Sequence, residues 1–238
     1  MKKLFLALVF LTPLIVNAEG AMPGNPANGK RIFMEGKGPV VACMTCHGMG
    51  GYGTEAMGAP RLADLGYDYV VKQLTDLAEG RRVPQGAGAV MPYFAMNLTP
   101  EERRDIAAYV NSINTKPELS DLNELRSQGQ PVGNIARGKI LVMYGNGKVS
   151  ACVTCHQYNG RGAPPMFPMI GQQKYTYLMN QLHNWHDRTR QNDPYQMMEI
   201  IAGKLSEQDM QDAAAYLSQA PRGGMGAADY ATMSNIPQ

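Results

Sequence analysis

Apolar residues recur along this chain at steps of three and four, the spacing of one helix face, and almost nowhere at alternate positions. A first helix is predicted from Pro26, a residue suited to an opening turn, with Ile32 and Phe33 on its buried side. A similar stretch runs from about Ile135 to Tyr144 and stops near Gly145. Tyr69, Val70, Gln73, Leu74 and Leu77 stripe a helix over about Tyr67 to Glu79, and a counterpart covers about Tyr175 to His186. Thr99-Pro100-Glu101-Glu102 reads as a capping box opening a helix whose apolar face is Ile106, Tyr109 and Val110. Ser206 and Asp209 repeat that logic ahead of Met210, Ala213, Ala214 and Leu217. No run of alternating β-branched residues appears, so the expected fold class is all-α with almost no sheet.

These helices come in matched pairs because the chain is one unit written twice. Ala27-Asn28-Gly29-Lys30 answers to Ala136-Arg137-Gly138-Lys139, Pro60 to Pro168, and Tyr69-Val70-Val71-Lys72-Gln73-Leu74 to Tyr177-Leu178-Met179-Asn180-Gln181-Leu182. Arg82 answers to Arg190, Phe94-Ala95 to Ile201-Ala202, and Tyr109 to Tyr216, with the offset shortening by one residue twice along the way. Residues 19–115 and 133–220 are therefore expected to be two domains of one fold. Residues 116–132 are polar, lack the shared pattern and read as a linker, in which Leu119, Leu122 and Leu125 allow a short helical turn. Residues 221–238 are glycine-rich at their start and read as a flexible tail.

Residues 1–18 have the form of a signal peptide. Lys2 and Lys3 precede an apolar run from Leu4 to Val16, and Val16-Asn17-Ala18 offers a small-residue cleavage site before Glu19. The run is short for a membrane span and Pro13 interrupts it. The net charge of +2 on the whole chain rests on Lys2 and Lys3, so the mature protein would be neutral. No basic block points to nucleic acid.

All four cysteines fall in two pentapeptides, Cys43-Met44-Thr45-Cys46-His47 and Cys152-Val153-Thr154-Cys155-His156. C-x-x-C-H is the attachment signature of c-type haem. Thiols one helical turn apart can each form a thioether to one vinyl group of a single haem, and the adjacent histidine then reaches the iron. A zinc site or a redox dithiol is the competing reading. Zinc held by both copies would leave the downstream repeats without a purpose, and disulfides would consume the thiols. Two covalent haem c groups are therefore expected, with His47 and His156 as iron ligands.

The sixth iron position decides between carrier and catalyst. His183 and His186 exist in the second copy alone and face Thr75 and Ala78 in the first, so a shared ligand is not among them. Met91 and Met198 each stand three residues before a matched pair and are the expected ligands of the first and second iron. Met197 is the rival in the second copy and Met96 a weaker one in the first. A carbonyl at Pro60 or Pro168 can accept the Nδ1–H of the neighbouring histidine. Arg82 and Arg190 read either as partners of a haem propionate or as solvated residues at helix ends.

Each unit resembles a class I cytochrome c. The motifs are C-x-x-C-H, then Pro60-Arg61-Leu62 or Pro168-Met169-Ile170, then a methionine segment, then a closing helix with Ala107-Ala108-Tyr109 or Ala214-Ala215-Tyr216. Two such units behind a signal peptide are similar to the di-haem cytochrome c4 family, over roughly residues 26–113 and 134–219. The resemblance implies two tandem helical bundles, each around one covalent haem, and a periplasmic electron carrier that is not an enzyme. It implies redox partners such as a membrane cytochrome bc complex, a terminal haem–copper oxidase or a periplasmic dehydrogenase, with room for peripheral membrane association. An electron-transfer subunit of a periplasmic dehydrogenase complex is the alternative. A di-haem redox enzyme would need a labile sixth ligand, for which the Met197–Met198 pair is the one opening.

Overall fold

A computed structural model describes residues 24–221, so the signal segment, and the tail apart from Pro221, lie outside the described residues. Among these residues there are no strands, only three isolated bridges at tight turns. The first unit holds α1 (Pro26–Glu35), α2 (Met44–His47), α3 (Tyr67–Ala78), α4 (Met91–Met96) and α5 (Pro100–Ser112). A short α6 (Leu122–Ser127) follows. The second unit repeats the series as α7 (Ile135–Tyr144), α8 (Val153–His156), α9 (Tyr175–His186), α10 (Met197–Ala202) and α11 (Glu207–Gln219).

Local chemistry sets the ends. Asn25 accepts from the backbone N–H of Ala27 and Asn28 to start α1, and Asn134 accepts from Arg137 to start α7. Gly36 and Gly145 end the same two helices with φ of 78° and 76°. Both capping boxes form, Thr99 with Glu102 and Ser206 with Asp209.

In each unit the first and last helices cross at close range. A Cβ on Gly29 would lie 1.9 Å from the Asp105 carbonyl oxygen, and one on Gly138 would lie 1.9 Å from that of Asp212. Only glycine permits this approach. The crossing is bonded by two buried aspartates. Asp105 accepts from Asn25 N–H at 2.6 Å and from Asn28 Nδ2 at 2.7 Å. Asp212 accepts from Asn134 N–H at 2.6 Å and from Arg137 through Nε and a terminal nitrogen at 2.6 and 2.9 Å. Beneath the crossing Ile32 and Phe33 are fully buried, and Phe33 meets Tyr109 edge to face at 5.3 Å. Each such side chain contributes about 1.5–3 kcal/mol on burial.

The connection between the units is not loose. Asp121 caps α6, and Leu122 and Leu125 join the core of the second unit, while Leu119 stays exposed. Ser120 is buried, accepts from Tyr175 N–H at 2.9 Å and bonds Glu55 of the first unit. Low hydrophobicity hid this, because two leucines suffice when spaced to reach one groove.

The units also bond directly. The Gln173 amide takes the Arg61 backbone at both ends, accepting from its N–H at 2.6 Å and donating to its carbonyl at 2.9 Å. The Glu55 carboxylate accepts from Tyr175 and Thr176 N–H at 3.1 and 3.0 Å, capping the start of α9 from across the boundary.

Candidate functional site: two Cys-His pockets

The first pentapeptide forms the single turn α2, which aligns Cys43 and Cys46 and buries His47. The chain then loops back so that Pro60 O lies 3.0 Å from His47 Nδ1. A carbonyl can only accept, so Nδ1 carries the proton and Nε2 keeps its lone pair. Burial holds the imidazole below its ordinary pKa, although the Pro60 bond opposes this, so the ring is neutral at pH 7, as a metal ligand must be. Gly53 makes the return possible. It has φ of 77°, and a Cβ there would lie 2.5 Å from Arg61 N.

The second pentapeptide repeats this. His156 is buried on α8, its Nδ1 is 2.9 Å from Pro168 O, and burial again lowers its pKa. Phe167 packs its edge against the ring at 6.1 Å.

The thiol environment separates the readings left open above. Burial pushes the Cys43 and Cys152 thiols up to about 11, so neither is a reactive thiolate at neutral pH. The four cysteines form no disulfide. Among the described residues no three His, Cys, Asp or Glu side chains converge as a zinc site would require.

Cys43, Cys46 and His47 open onto a cavity of about 450 Å³ whose walls include Phe33, Val70, Leu77, Phe94, Leu98 and Ile106. Such a volume with apolar walls suits a large flat prosthetic group. Met91 lines the same cavity and Met96 does not, being 59% exposed on the outer side of α4. In the second unit Met197 and Met198 are both half-buried in the first turn of α10. Helix starts pair Met91 with Met197. The fully buried alanines, Ala95 and Ala202, each lie four residues after Met91 and Met198 and favour Met198. The N–H of Met198 donates to Asp193 Oδ2 at 2.5 Å. Of the second-copy histidines, His183 borders the first unit's cavity from the second unit, and both rings are engaged by carboxylates. His183 Nε2 lies 2.7 Å from Glu207 Oε2, and His186 Nδ1 lies 2.7 Å from Asp187 Oδ1.

Arg82 and Arg190 are not solvated. Both are buried between the units, among Tyr69, Gln73, Tyr177 and Gln181. Sequence reading missed this cluster. Its signal was two glutamines in the apolar stripes of α3 and α9, kept in both copies where a core residue was expected.

The cytochrome c family model matches residues 26–114 and 135–221, and the chain belongs to that family. It carries two covalently bound haem c groups, one per unit, and the residues above fit them. Within the family, the chain resembles the di-haem cytochrome c4 proteins. It is 33% identical to cytochrome c4 of Pseudomonas aeruginosa over 76% of this chain and 85% of that protein. It is 31% identical to the thiosulfate dehydrogenase electron acceptor of Stutzerimonas stutzeri, over 83% of this chain and 88% of that one. The solved thiosulfate dehydrogenase (TsdBA) of Marichromatium purpuratum superposes with a TM-score of 0.74 at 30% identity, over 82% of this chain and 40% of that longer one. Di-haem electron transfer is therefore the function of the chain.

Proposed function

We propose that this protein is a periplasmic carrier of single electrons. In this reading Cys43, Cys46, Cys152 and Cys155 form the thioethers, His47 and Met91 hold the first iron, and His156 and Met198 hold the second. Residues 19–115 and 133–220 are the two domains, joined by 116–132, and residues 1–18 direct export. The observation that carries the reading is the convergence of His47 and Met91 on one apolar cavity, with Nδ1 of His47 tied to Pro60 O. Haem supplies the reversible one-electron couple, and the chain does the rest. The carbonyl bonds fix both imidazoles and raise their basicity. A methionine at the sixth position favours the reduced state and closes the iron to substrate. Apolar walls exclude water, so little rearranges when an electron arrives.

Near-infrared spectroscopy of the oxidised protein tests the ligands. The methionine-to-iron band is expected from both haems, with Met91→Ala and Met198→Ala each removing one share. A band unchanged in Met198→Ala and lost in Met197→Ala would reassign the second ligand.

The donor has a specific candidate. Likeness to a thiosulfate dehydrogenase electron acceptor and to TsdBA supports a periplasmic dehydrogenase as the protein that reduces this chain. A membrane cytochrome bc complex is the other donor, and a haem–copper oxidase the acceptor. No helix among the described residues is long and apolar enough to cross a membrane. Reduction of the purified protein by a thiosulfate-oxidising dehydrogenase, measured by stopped-flow absorbance, separates the donors.

A further inference from the structure

The segment that leads into Met198 is built unlike its counterpart in the first unit. There the N–H of Met91 bonds the Gly88 carbonyl, and between Pro84 and Met91 the one residue with a left-handed φ is Gly86, at 59°. Glycine takes that conformation freely. In the second unit the short turn Pro194–Gln196 runs into α10, and Tyr195 and Gln196 hold φ of 59° and 56°. A side chain makes such backbone costly. The ends of α3 and α9 repeat the contrast, with Gly80 at 73° in the first unit and the matched Arg188 at 58° in the second.

Packing does not hold the strained turn, since Tyr195 is 86% exposed and Gln196 is exposed as well. Two polar contacts do. Asp193 Oδ2 accepts from the N–H of Met198 at 2.5 Å and so closes the turn end to end. Gln85 stands at the matching place in the first unit, and its side chain makes no cap bond. Arg188 Nε donates to Glu199 Oε2 at 3.1 Å, tying the end of α9 to the residue after Met198. Glu199 is 7% exposed, and Pro92 takes its place in the first unit. A carboxylate buried against one arginine adds little to stability, because desolvation offsets the attraction. What it supplies is position.

We propose that Asp193 and the Arg188–Glu199 pair are positioning residues for Met198, a latch that keeps the strained turn closed, so that removing it frees the sixth position of the second iron and leaves the first untouched. The inference rests on the reading of Met198 as the second iron's ligand. A hydrogen bond from an N–H to a carboxylate is stronger than one to a neutral carbonyl and depends steeply on angle, so it fixes the first turn of α10. The bond opposes the strain. Without it Tyr195 and Gln196 relax toward negative φ and carry the Met198 backbone with them.

The test is spectroscopy of the intact holoprotein, near-infrared for the oxidised form and carbon monoxide mixing for the reduced one. Asp193→Ala is expected to lose the second haem's share of the methionine-to-iron band and to bind carbon monoxide rapidly at one haem of the two. Asp193→Asn keeps an acceptor oxygen in place and should restore most of that share. An asparagine that restores nothing overturns the role of the bond. Both shares intact in Asp193→Ala, with carbon monoxide still excluded, overturn the latch even if the protein melts earlier. Loss of both shares overturns its confinement to the second unit. Glu199→Gln keeps the shape and removes the ion pair, and it serves if Asp193→Ala does not fold. It should speed carbon monoxide binding at one haem by roughly tenfold, the weight of one charge-assisted hydrogen bond. An unchanged rate overturns the part given to the pair. A band left whole by Met198→Ala would instead sink the ligand reading, and that is seen before any latch variant is made.

Discussion

Replacing Gln173 by alanine should loosen the two units from each other at a calculable cost. The side-chain amide bonds both the N–H and the carbonyl of Arg61, at 2.6 and 2.9 Å, and both residues are under 5% exposed. Alanine removes the partner of three buried backbone groups, the Arg61 N–H and carbonyl and the Lys174 N–H. Each costs about 1–3 kcal/mol. Partial rescue by water entering the space brings the expected loss to about 3 kcal/mol. Gln173 also accepts from Lys174 N–H at 2.9 Å, at the start of α9, so the second unit should suffer more than the first. The assay is guanidinium denaturation of the holoprotein, read by far-ultraviolet circular dichroism and by haem absorbance. The parent should unfold in one transition because the units are bonded together. The variant should lose midpoint and separate into two transitions. A curve within about 0.5 kcal/mol of the parent, still single, would refute the view that this amide couples the units.

Other consequences follow from particular contacts. Leu125→Ala should cost about 2–5 kcal/mol, measured by the same denaturation, because Leu125 is 3% exposed in the second core; a loose linker would show almost no change. Gly138→Ala should destabilise by more than about 1 kcal/mol and weaken haem retention, since its Cβ would meet the Asp212 carbonyl oxygen at 1.9 Å. Acid stability should turn on Asp212. Burial raises its pKa, but Arg137, Asn134 and Gln208 outweigh this and leave it lowered. A lowered folded pKa gives stability that is whole above the unfolded value of about 3.9 and is lost as pH falls through the folded one. Asp212→Asn should therefore flatten the fall in melting temperature below about pH 4 and lower stability at neutral pH.

Local chemistry made much of the fold legible. The capping boxes at Thr99 and Ser206, Pro26 at a first turn and Gly145 at a helix end are short-range signals, and they mark helix ends in the structure. The repeat carried the site, since Pro60 and Pro168 are matched and both carbonyls meet a histidine. What stayed hidden depends on long-range partners. Asp105 and Asp212 look like exposed helix acids until the opposing helix brings Asn25 or Asn134 to them. Arg82 reads as a helix-end charge until the second unit covers it. Gln73 sits in an apolar stripe because the surface it meets, Arg82 and Arg190, is polar. No window of one unit contains that information.

Exposure of the reduced protein to carbon monoxide tests the central claim most directly. If His47 with Met91 and His156 with Met198 close the two irons, as proposed, the reduced spectrum should stay unchanged on the timescale of mixing. Rapid binding at both haems would contradict the account, because an iron closed by methionine has no open position for carbon monoxide.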